Sequence, residues 1–486
     1  MMNTPFMRYC TWVLAAVSLC LLFISIPYHD FYVDEAFIGE YAYFFARDGY
    51  VHSHFWEGYL RQDEYVVLHH HLATWSGALM LKLFGVHLWA VRLVSLLSGG
   101  VIVFTLWQLT TRFGQWQKQQ AILALAALLL IPSFFYHVKC FRPEVETAAF
   151  GFLSFAALFI GLMHEQVSKR QRTIAVILAG AFAGAAMLTH LAGCMYAGAG
   201  VLMLLRAKRW QSAVLFACAA LVVFSPYPID MCLHADLARL QASQPQSQAK
   251  FLWHWWTPLQ HLLDEQQRFF RKPQFIFVSV FSLALLAATW RNPKPLRRFL
   301  RLYFAALIVV LGVMLEDKRD YFALYAPFLA LIIADAAPDV WSRGRVAKIV
   351  SGICAIAFIG YGIYFQITDA LHKENVSELN REITRSIPDG ARCLAPLNLM
   401  YNEIGRLHFI AFNQAFATME GDRPTITAGS LKQFCDIRGI EYVIVNRFGE
   451  ERDVIADAEN HASELDSAFV TLQHTSDYWL LQRRKN

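Results

Sequence analysis

Apolar residues along this chain gather in long blocks separated by short polar loops. The blocks cover residues 11–27, 90–109, 120–136, 147–163, 173–188, 191–205, 213–229, 275–290, 299–315, 322–336 and 347–367. A helix needs roughly 17–25 apolar residues to cross a bilayer. The pattern therefore predicts about eleven spanning helices. Residues 189–193 barely separate two blocks, so a hairpin or a broken helix is expected there. The first block follows Arg8 and has the outline of a secretory signal. It is long for one, no small-x-small cleavage site follows, and many more blocks come after it. A retained anchor is the expectation.

Three segments between or after the blocks are too long for simple connectors: 28–88, 230–274 and 368–486. The last has ordinary soluble composition. Its strand-like runs are 392–395, 442–446 and 478–482, and its helical stretches include 373–387 and 430–438. The expected organisation is a membrane domain over 1–367 and a small α/β domain over 368–486.

Composition agrees. Of 486 residues, 56% are hydrophobic and only 17% are charged, with a mean hydropathy of +0.35. That excludes a plain soluble enzyme and a disordered chain. A net charge of +5 argues against a broad basic nucleic-acid face. Where the basic residues sit matters more than their sum. One set of loops holds Arg8; Arg112 and Lys118; Lys169, Arg170 and Arg172; Arg206, Lys208 and Arg209; Arg291, Lys294, Arg297 and Arg298; Arg343, Arg345 and Lys348. The positive-inside rule puts these in the cytoplasm with the N-terminus. An odd number of spans leaves the C-terminal domain outside. Strict alternation is expected to misplace some basic loops, with the count in error near 189–193.

The nine cysteines form no framework. Five lie in or beside apolar blocks, where Cys behaves as a small hydrophobe. A Cys393–Cys435 bridge in the tail is conceivable, and sequence alone does not establish it. No P-loop, strand-linked GxGxxG or HExxH occurs. Charges inside the blocks are scarce, which gives proton-coupled transport little support.

Chemistry-bearing residues cluster where the blocks meet the outer face. The first block is followed by Asp34-Glu35, then by an aromatic-rich stretch, 36–47, with amphipathic spacing. Such a stretch lies at the membrane interface, and a carboxylate there acts as a base or binds a cation. The plain alternative is a solvated helix start with Asp34 as its cap. Lys139 and Arg142 stand beside Pro143, Glu144 and Glu146. The proline and the glutamates suit a helix N-terminus. The two cations sit on the side where positive charge is sparse, and call for an anion: Asp34, Glu35 or a phosphate. A third cluster, Glu316-Asp317-Lys318-Arg319-Asp320-Tyr321, reads equally as a self-paired loop or a pocket for a lipid-linked phosphate.

His69-His70-His71 looks like a metal cluster, but adjacent histidines do not share one helix face. One of them, His69 for example, with Glu57, Asp63 or Glu64 stays open as a divalent-metal site. No cofactor is required by any motif. His190 ends a block near the outer face, where a histidine is more often structural than catalytic.

Taken in order, several of these pieces resemble the GT-C membrane glycosyltransferases, in the group of the protein O-mannosyltransferases and the bacterial aminoarabinose transferase acting on lipid A. They are Val33-Asp34-Glu35-Ala36, the amphipathic 71–85 segment leading to Arg92-Leu93-Val94-Ser95, Arg142-Pro143-Glu144, Leu188-Thr189-His190, and Lys318-Arg319-Asp320-Tyr321 with Pro327. The resemblance covers roughly residues 10–366. The tail matches only in position and composition. The chain departs from the group's pattern at three places. Glu144 stands where Arg-Pro-Asp is common, His69–His71 fall near a frequent proline, and Asp320 separates Arg319 from Tyr321.

The resemblance implies inverting transfer of a sugar from a polyprenyl-phosphate donor to an extracytoplasmic acceptor: a lipid such as lipid A, an envelope glycan or a protein hydroxyl. Asp34 would be the general base, with Glu35 and Glu144 shaping the site. Lys139, Arg142, Lys318 and Arg319 would bind the departing phosphate, and Tyr321 would add a hydrogen bond. His190, Asp63, Glu64 and His69 are further candidates. The implied setting is a bacterial inner membrane with a periplasmic site. Two rival classes remain. A lipid-linked glycan flippase or polymerase calls for a cationic central cavity, whereas the charges here gather at the outer face. A noncatalytic receptor leaves the Asp34, Glu144 and Arg319 clusters without a common purpose.

Overall fold

The computed structural model describes residues 5–26, 31–113, 118–163, 167–243, 257–291, 294–314, 321–341, 344–371, 376–412, 428–446, 468–475 and 478–484. The described residues of each of the eleven apolar blocks lie mainly on helix. The long helices are α1 (Pro5–Ser25), α4 (Leu88–Gln108), α5 (Lys118–Leu130), α7 (Pro143–Met163), α8 (Lys169–Thr189), α9 (Cys194–Arg206), α10 (Trp210–Phe224), α15 (Pro273–Ala288), α16 (Pro295–Met314), α17 (Ala326–Trp341) and α18 (Arg345–Leu371). Among the described residues, five helices are individually long and apolar enough to span a membrane, or seven if each of two bent pairs is one span. One bend, of 50°, joins α10 to α11 (Pro226–Leu233). The other, of 102°, joins α13 (Thr257–Asp264) and α14 (Gln266–Phe270) to α15.

Burial separates centre from rim. The span window of 321–340 is 94% buried, while that of α18 is 17% buried. α18 instead presents Ile349, Ile353 and Ile356 outward, and α4 does the same with Leu97 and Phe104. An apolar rim of this kind is stable only against lipid. Elsewhere small residues let helices touch. A Cβ on Gly180 or Gly184 in α8 would collide with the backbone of Phe216 or Ala220 in α10, so these two helices meet main chain to main chain.

The expected break at 189–193 is present. α8 stops at Thr189, and His190 is extended with φ −156° and ψ 137°. A single 3-10 turn, Leu191–Gly193, then restarts the chain into α9. His190 caps that turn itself, its Nδ1 accepting from the Ala192 amide at 2.9 Å.

Among the described residues the tail has five strands: β1 (Arg392–Ala395), β2 (His408–Ala411), β3 (Tyr442–Asn446), β4 (Phe469–His474) and β5 (Tyr478–Arg483). Their order is β2-β1-β3-β5-β4. β1 runs parallel to β2 and β3, whereas β5 is antiparallel to β3 and β4. The runs at β1, β3 and β5 were legible in the sequence; β2 and β4 were not. β4 has one buried residue followed by exposed ones, a weak period-2 signal. Cys393 and Cys435 are both buried and free, so the conceivable bridge is absent.

One face of this sheet shares its core with the helices that follow α1. α2 (Val33–Asp48), α3 (His71–Phe84) and the start of α4 pack with Leu399, Met400, Tyr401 and Phe409. The Tyr401 hydroxyl donates to the Glu35 carbonyl at 2.7 Å. Glu57 accepts from Arg392 and contacts His408, both at 2.6 Å. α2 thus departs from the expected helix resting at the interface. Both α3 and the tail cover it, and Ala36, Ile38, Ala42 and Phe44 are buried.

Candidate active site

The site begins at the first turn of α2. Asp34 and Glu35 are neighbours in sequence, and a helix sends neighbours about 100° apart. Glu35 turns inward and is fully buried. Its two oxygens accept from Arg92 Nε at 2.9 Å and Arg92 Nη2 at 2.8 Å. The Phe141 amide at 2.7 Å and the Tyr32 amide at 3.0 Å complete the set. Burial alone would raise this carboxyl, but the Arg92 guanidinium and the two amides outweigh it and hold it below its usual range. Glu35 is therefore an ionised strut that ties α2, α4 and the 138–142 turn together. Its oxygens are taken up by these four donors.

Asp34 turns outward, with its side chain 46% exposed. Arg142 Nη2 lies 3.2 Å from its carboxylate and 2.5 Å from that of Glu144. The Arg142 guanidinium also sits over the Tyr32 ring, 4.4 Å from its centroid. Arg142 is 8% exposed, and Glu144, at the start of α7, is buried. Pro143 opens that helix, as its sequence position predicted. The result is a carboxylate–guanidinium–carboxylate bridge from α2 to α7, open only on the Asp34 side.

A line of rings continues from this bridge. His70 lies within the electrostatic reach of Arg142. Burial, followed by the charges of Arg142 and His71, pushes His70 down to about 4. Its ring stacks on His190, 4.7 Å between centroids, and His190 meets Tyr321 at 5.0 Å. Arg268 sits 5.4 Å from the centre of the Tyr321 ring. Arg142, His190 and Tyr321, far apart in sequence, thus belong to one neighbourhood. Lys318 and Arg319 lie outside the described residues.

The other candidates lie elsewhere. The Lys139 ammonium is buried against Asp369 of α18 and the Ser25 hydroxyl, and stacks over Phe135, so it clamps helices. Asp63 accepts from the Gly58 amide at 2.9 Å and Glu64 pairs with the exposed Arg61 at 2.6 Å; both shape the 51–68 loop. Neither joins a histidine, and Glu57 is held by the tail.

The histidine run divides by alternation, as in any extended segment. His70 faces His190. His69 and His71 stack on each other at 4.0 Å and face Asp230 of α11. The partner that the sequence reading missed is Asp230. Its one visible signal is a lone acid at the end of an apolar block. Arg92 and His70 were likewise passed over as site residues. Arg92 stood inside the quoted Arg92–Ser95 motif, but nothing local showed that it reaches Glu35.

Residues 69–229 match the family described as dolichyl-phosphate-mannose-protein mannosyltransferase. No curated protein sequence matches the chain. Among solved structures, ArnT from Cupriavidus metallidurans bound to undecaprenyl phosphate is similar over 96% of this chain and 97% of its own, with TM-score 0.65 and 13% identity. The oligosaccharyltransferase AglB from Archaeoglobus fulgidus, in complex with an inhibitory peptide and a dolichol-phosphate, is similar over 98% of this chain and 74% of its own (TM-score 0.56, 10% identity). The arabinofuranosyltransferase AftD from Mycobacteria is similar over 99% of this chain and 40% of its own (TM-score 0.53, 13% identity). At such identities the likeness is one of fold: this chain shares the fold of these three proteins, and the family match covers residues 69–229.

Proposed function

We propose that this protein moves a sugar from a polyprenyl-phosphate donor to an acceptor outside the cytoplasm, with inversion. The observation that carries the reading is the exposed Asp34 carboxylate, fixed by buried Arg142 against Glu144 at the start of α7. Two observations support the donor class. The matched family is named for a dolichyl-phosphate sugar. Two of the similar folds were solved with polyprenyl phosphates.

In this reading the acceptor O–H gives its proton to Asp34. The acceptor oxygen attacks the anomeric carbon from the face opposite the phosphate. The bond from that carbon to the phosphate oxygen breaks, and the electron pair leaves with the phosphate. Arg142 stabilises the charge that develops there, where low-dielectric surroundings make a fixed cation effective. Lys318 and Arg319, next to Tyr321 in sequence, are assigned to the same phosphate. Glu35 and Glu144 orient Arg92 and Arg142 and do not exchange protons with substrate. Tyr321 and His190 border the pocket.

The eleven apolar blocks are taken as eleven crossings, with residues from 368 onward outside a bacterial inner membrane. Counted in strict alternation, they place all six basic groups on the cytoplasmic side. The expected conflict near 189–193 does not arise.

The test is transfer of radiolabelled sugar from purified polyprenyl-phosphate donors by the protein in nanodiscs, comparing wild type with Asp34→Asn. Turnover in wild type and a loss of about 10²–10⁴-fold in Asp34→Asn, with donor binding kept, is the expected result. Turnover in both moves the base elsewhere. No turnover and no donor binding across a broad panel overturns the transferase reading.

A further inference from the structure

The basic residues around the start of α16 have no part in the proposed reaction. Lys294, Arg297, Arg298 and Arg301 recur at spacings of three and four, so they share one helix face. They stand far from the candidate site. The 3-10 turn that carries Tyr321 leads into α17, and the two acids that meet these cations, Asp335 and Asp339, lie near the other end of that helix. At 1.5 Å per residue that is roughly 14–20 Å further on.

The acids occupy only part of this positive face. Arg297 is buried, 2% exposed. Its Nε donates to the Asp335 carboxylate, and its Nη2 donates to the Asp335 carbonyl at 2.8 Å and to Asp339 at 2.7 Å. Lys294 donates to the other Asp339 oxygen at 3.0 Å. These contacts pin α16 to α17. Arg301 reaches the end of α15 instead. It donates to the Thr289 hydroxyl at 2.7 Å and to the Trp290 carbonyl at 3.2 Å, both neutral. Two donors are left over. Arg297 Nη1 and Arg301 Nε are buried, with no hydrogen-bond partner among the described residues. No described carboxylate pairs with Arg301. Three cations thus meet two carboxylates, and the exposed Arg298 adds a further positive charge. Arg297 and Arg301 also stand four residues apart, where like charges repel. A buried charged donor without a partner is costly. One anion between the two guanidiniums answers both costs.

We propose that Arg297 and Arg301 hold the phosphate of an anionic phospholipid, in the cleft between α15, α16 and α17. Both arginines line that cleft, and apart from Asp335 its wall is apolar: Leu286, Leu300, Ile332 and Ala336. A guanidinium offers its donors in a fork that suits phosphate oxygens. The apolar wall suits an acyl chain, which a free phosphate lacks. The cleft also lies at membrane-interface level. Trp290 is exposed beside it, with the Arg301 guanidinium 5.7 Å from its ring centre, and tryptophans of this kind mark the boundary between lipid and water. Basic pockets between spanning helices are where anionic headgroups bind. A zwitterionic headgroup suits the cleft less, because its own ammonium would join a face that is already positive. The lipid would tie the end of α15 to α16 and α17. The inference needs only the membrane setting and does not depend on the transferase reading.

The experiment uses the full chain, delipidated in detergent and titrated with phosphatidylglycerol or phosphatidylcholine, with bound lipid read by native mass spectrometry and stability by thermal melting. Wild type is expected to retain phosphatidylglycerol in preference to phosphatidylcholine, and to melt at a higher temperature with the former. Arg301→Gln is expected to weaken phosphatidylglycerol by at least about fivefold, the worth of one arginine at an anionic lipid surface. Arg170→Gln, an exposed cation at the start of α8, is expected to leave it unchanged. Should Arg301→Gln fold poorly, wild type gives an independent reading: phosphatidylglycerol with a photoreactive headgroup is expected to label the 286–301 segment above the other basic loops. Equal retention of the two lipids, equal affinity in wild type and Arg301→Gln, or labelling spread evenly over the basic loops overturns the site. Inorganic phosphate that displaces the lipid at equal concentration overturns the lipid assignment and leaves a site for free phosphate.

Discussion

Arg92 grips Glu35 through two parallel hydrogen bonds, 2.9 and 2.8 Å long, with both side chains buried. The contact joins α2 to the start of α4, 57 residues later. It also divides labour between two adjacent acids. Glu35 is committed to structure, and Asp34 is left facing outward.

The first prediction follows from that division. Glu35→Gln leaves Arg92 buried opposite a neutral amide, and losing one charge of a buried pair costs about 3–5 kcal/mol. Thermal unfolding in detergent should show a marked drop for Glu35→Gln and little for Asp34→Asn. Equal effects in the two variants would contradict the assignment.

Arg142 holds two carboxylates and a ring face at once. Lysine keeps the charge but lacks the planar fork. Arg142→Lys is expected to lower kcat by roughly 10²–10³-fold, since an electrostatic donor to the developing charge is lost. KM for the donor should change less. A rise in KM alone would place Arg142 in ground-state binding.

Lys139 gives the opposite expectation. Its ammonium is spent on Asp369 and Ser25. Lys139→Met should destabilise the bundle by about 3 kcal/mol, because Asp369 loses its cation. Donor affinity in the folded fraction should be unchanged. A tenfold loss of donor affinity would return Lys139 to the phosphate site.

The tail docks on the 51–68 loop through Glu57. The hydrogen bond from His408, followed by that from Arg392, holds this carboxyl at about 2, against an ordinary 4.5. A depressed folded value stabilises above the unfolded one. The contribution is therefore complete above about pH 4.5 and is lost as pH falls toward about 2. Partial solvent screening limits it to about 1–2 kcal/mol. Wild type should lose stability over this window faster than Glu57→Gln, as read by melting temperature against pH.

Gly184 tests the membrane packing. A leucine there has no room against the Ala220 carbonyl. Gly184→Leu should separate α8 from α10 and lower stability by about 1–3 kcal/mol or more. Unchanged melting would show that the helices part easily.

The sequence alone determined the helical blocks, because apolar length is a local property that lipid reads directly. It also determined the Pro143 helix start, the break before Leu191, three of the five strands among the described residues, and the clusters of acids and bases between the blocks. What it could not assign was which charge meets which. Asp34 and Glu35 look alike in a string; only the angle between successive helical residues and the arrival of Arg92 separate them. Lys139 and Arg142 are three residues apart, yet one is closed against Asp369 and the other reaches Asp34. Asp230 joins His71 from 159 residues away. Such pairings depend on how helices pack, and packing is settled by the whole chain at once.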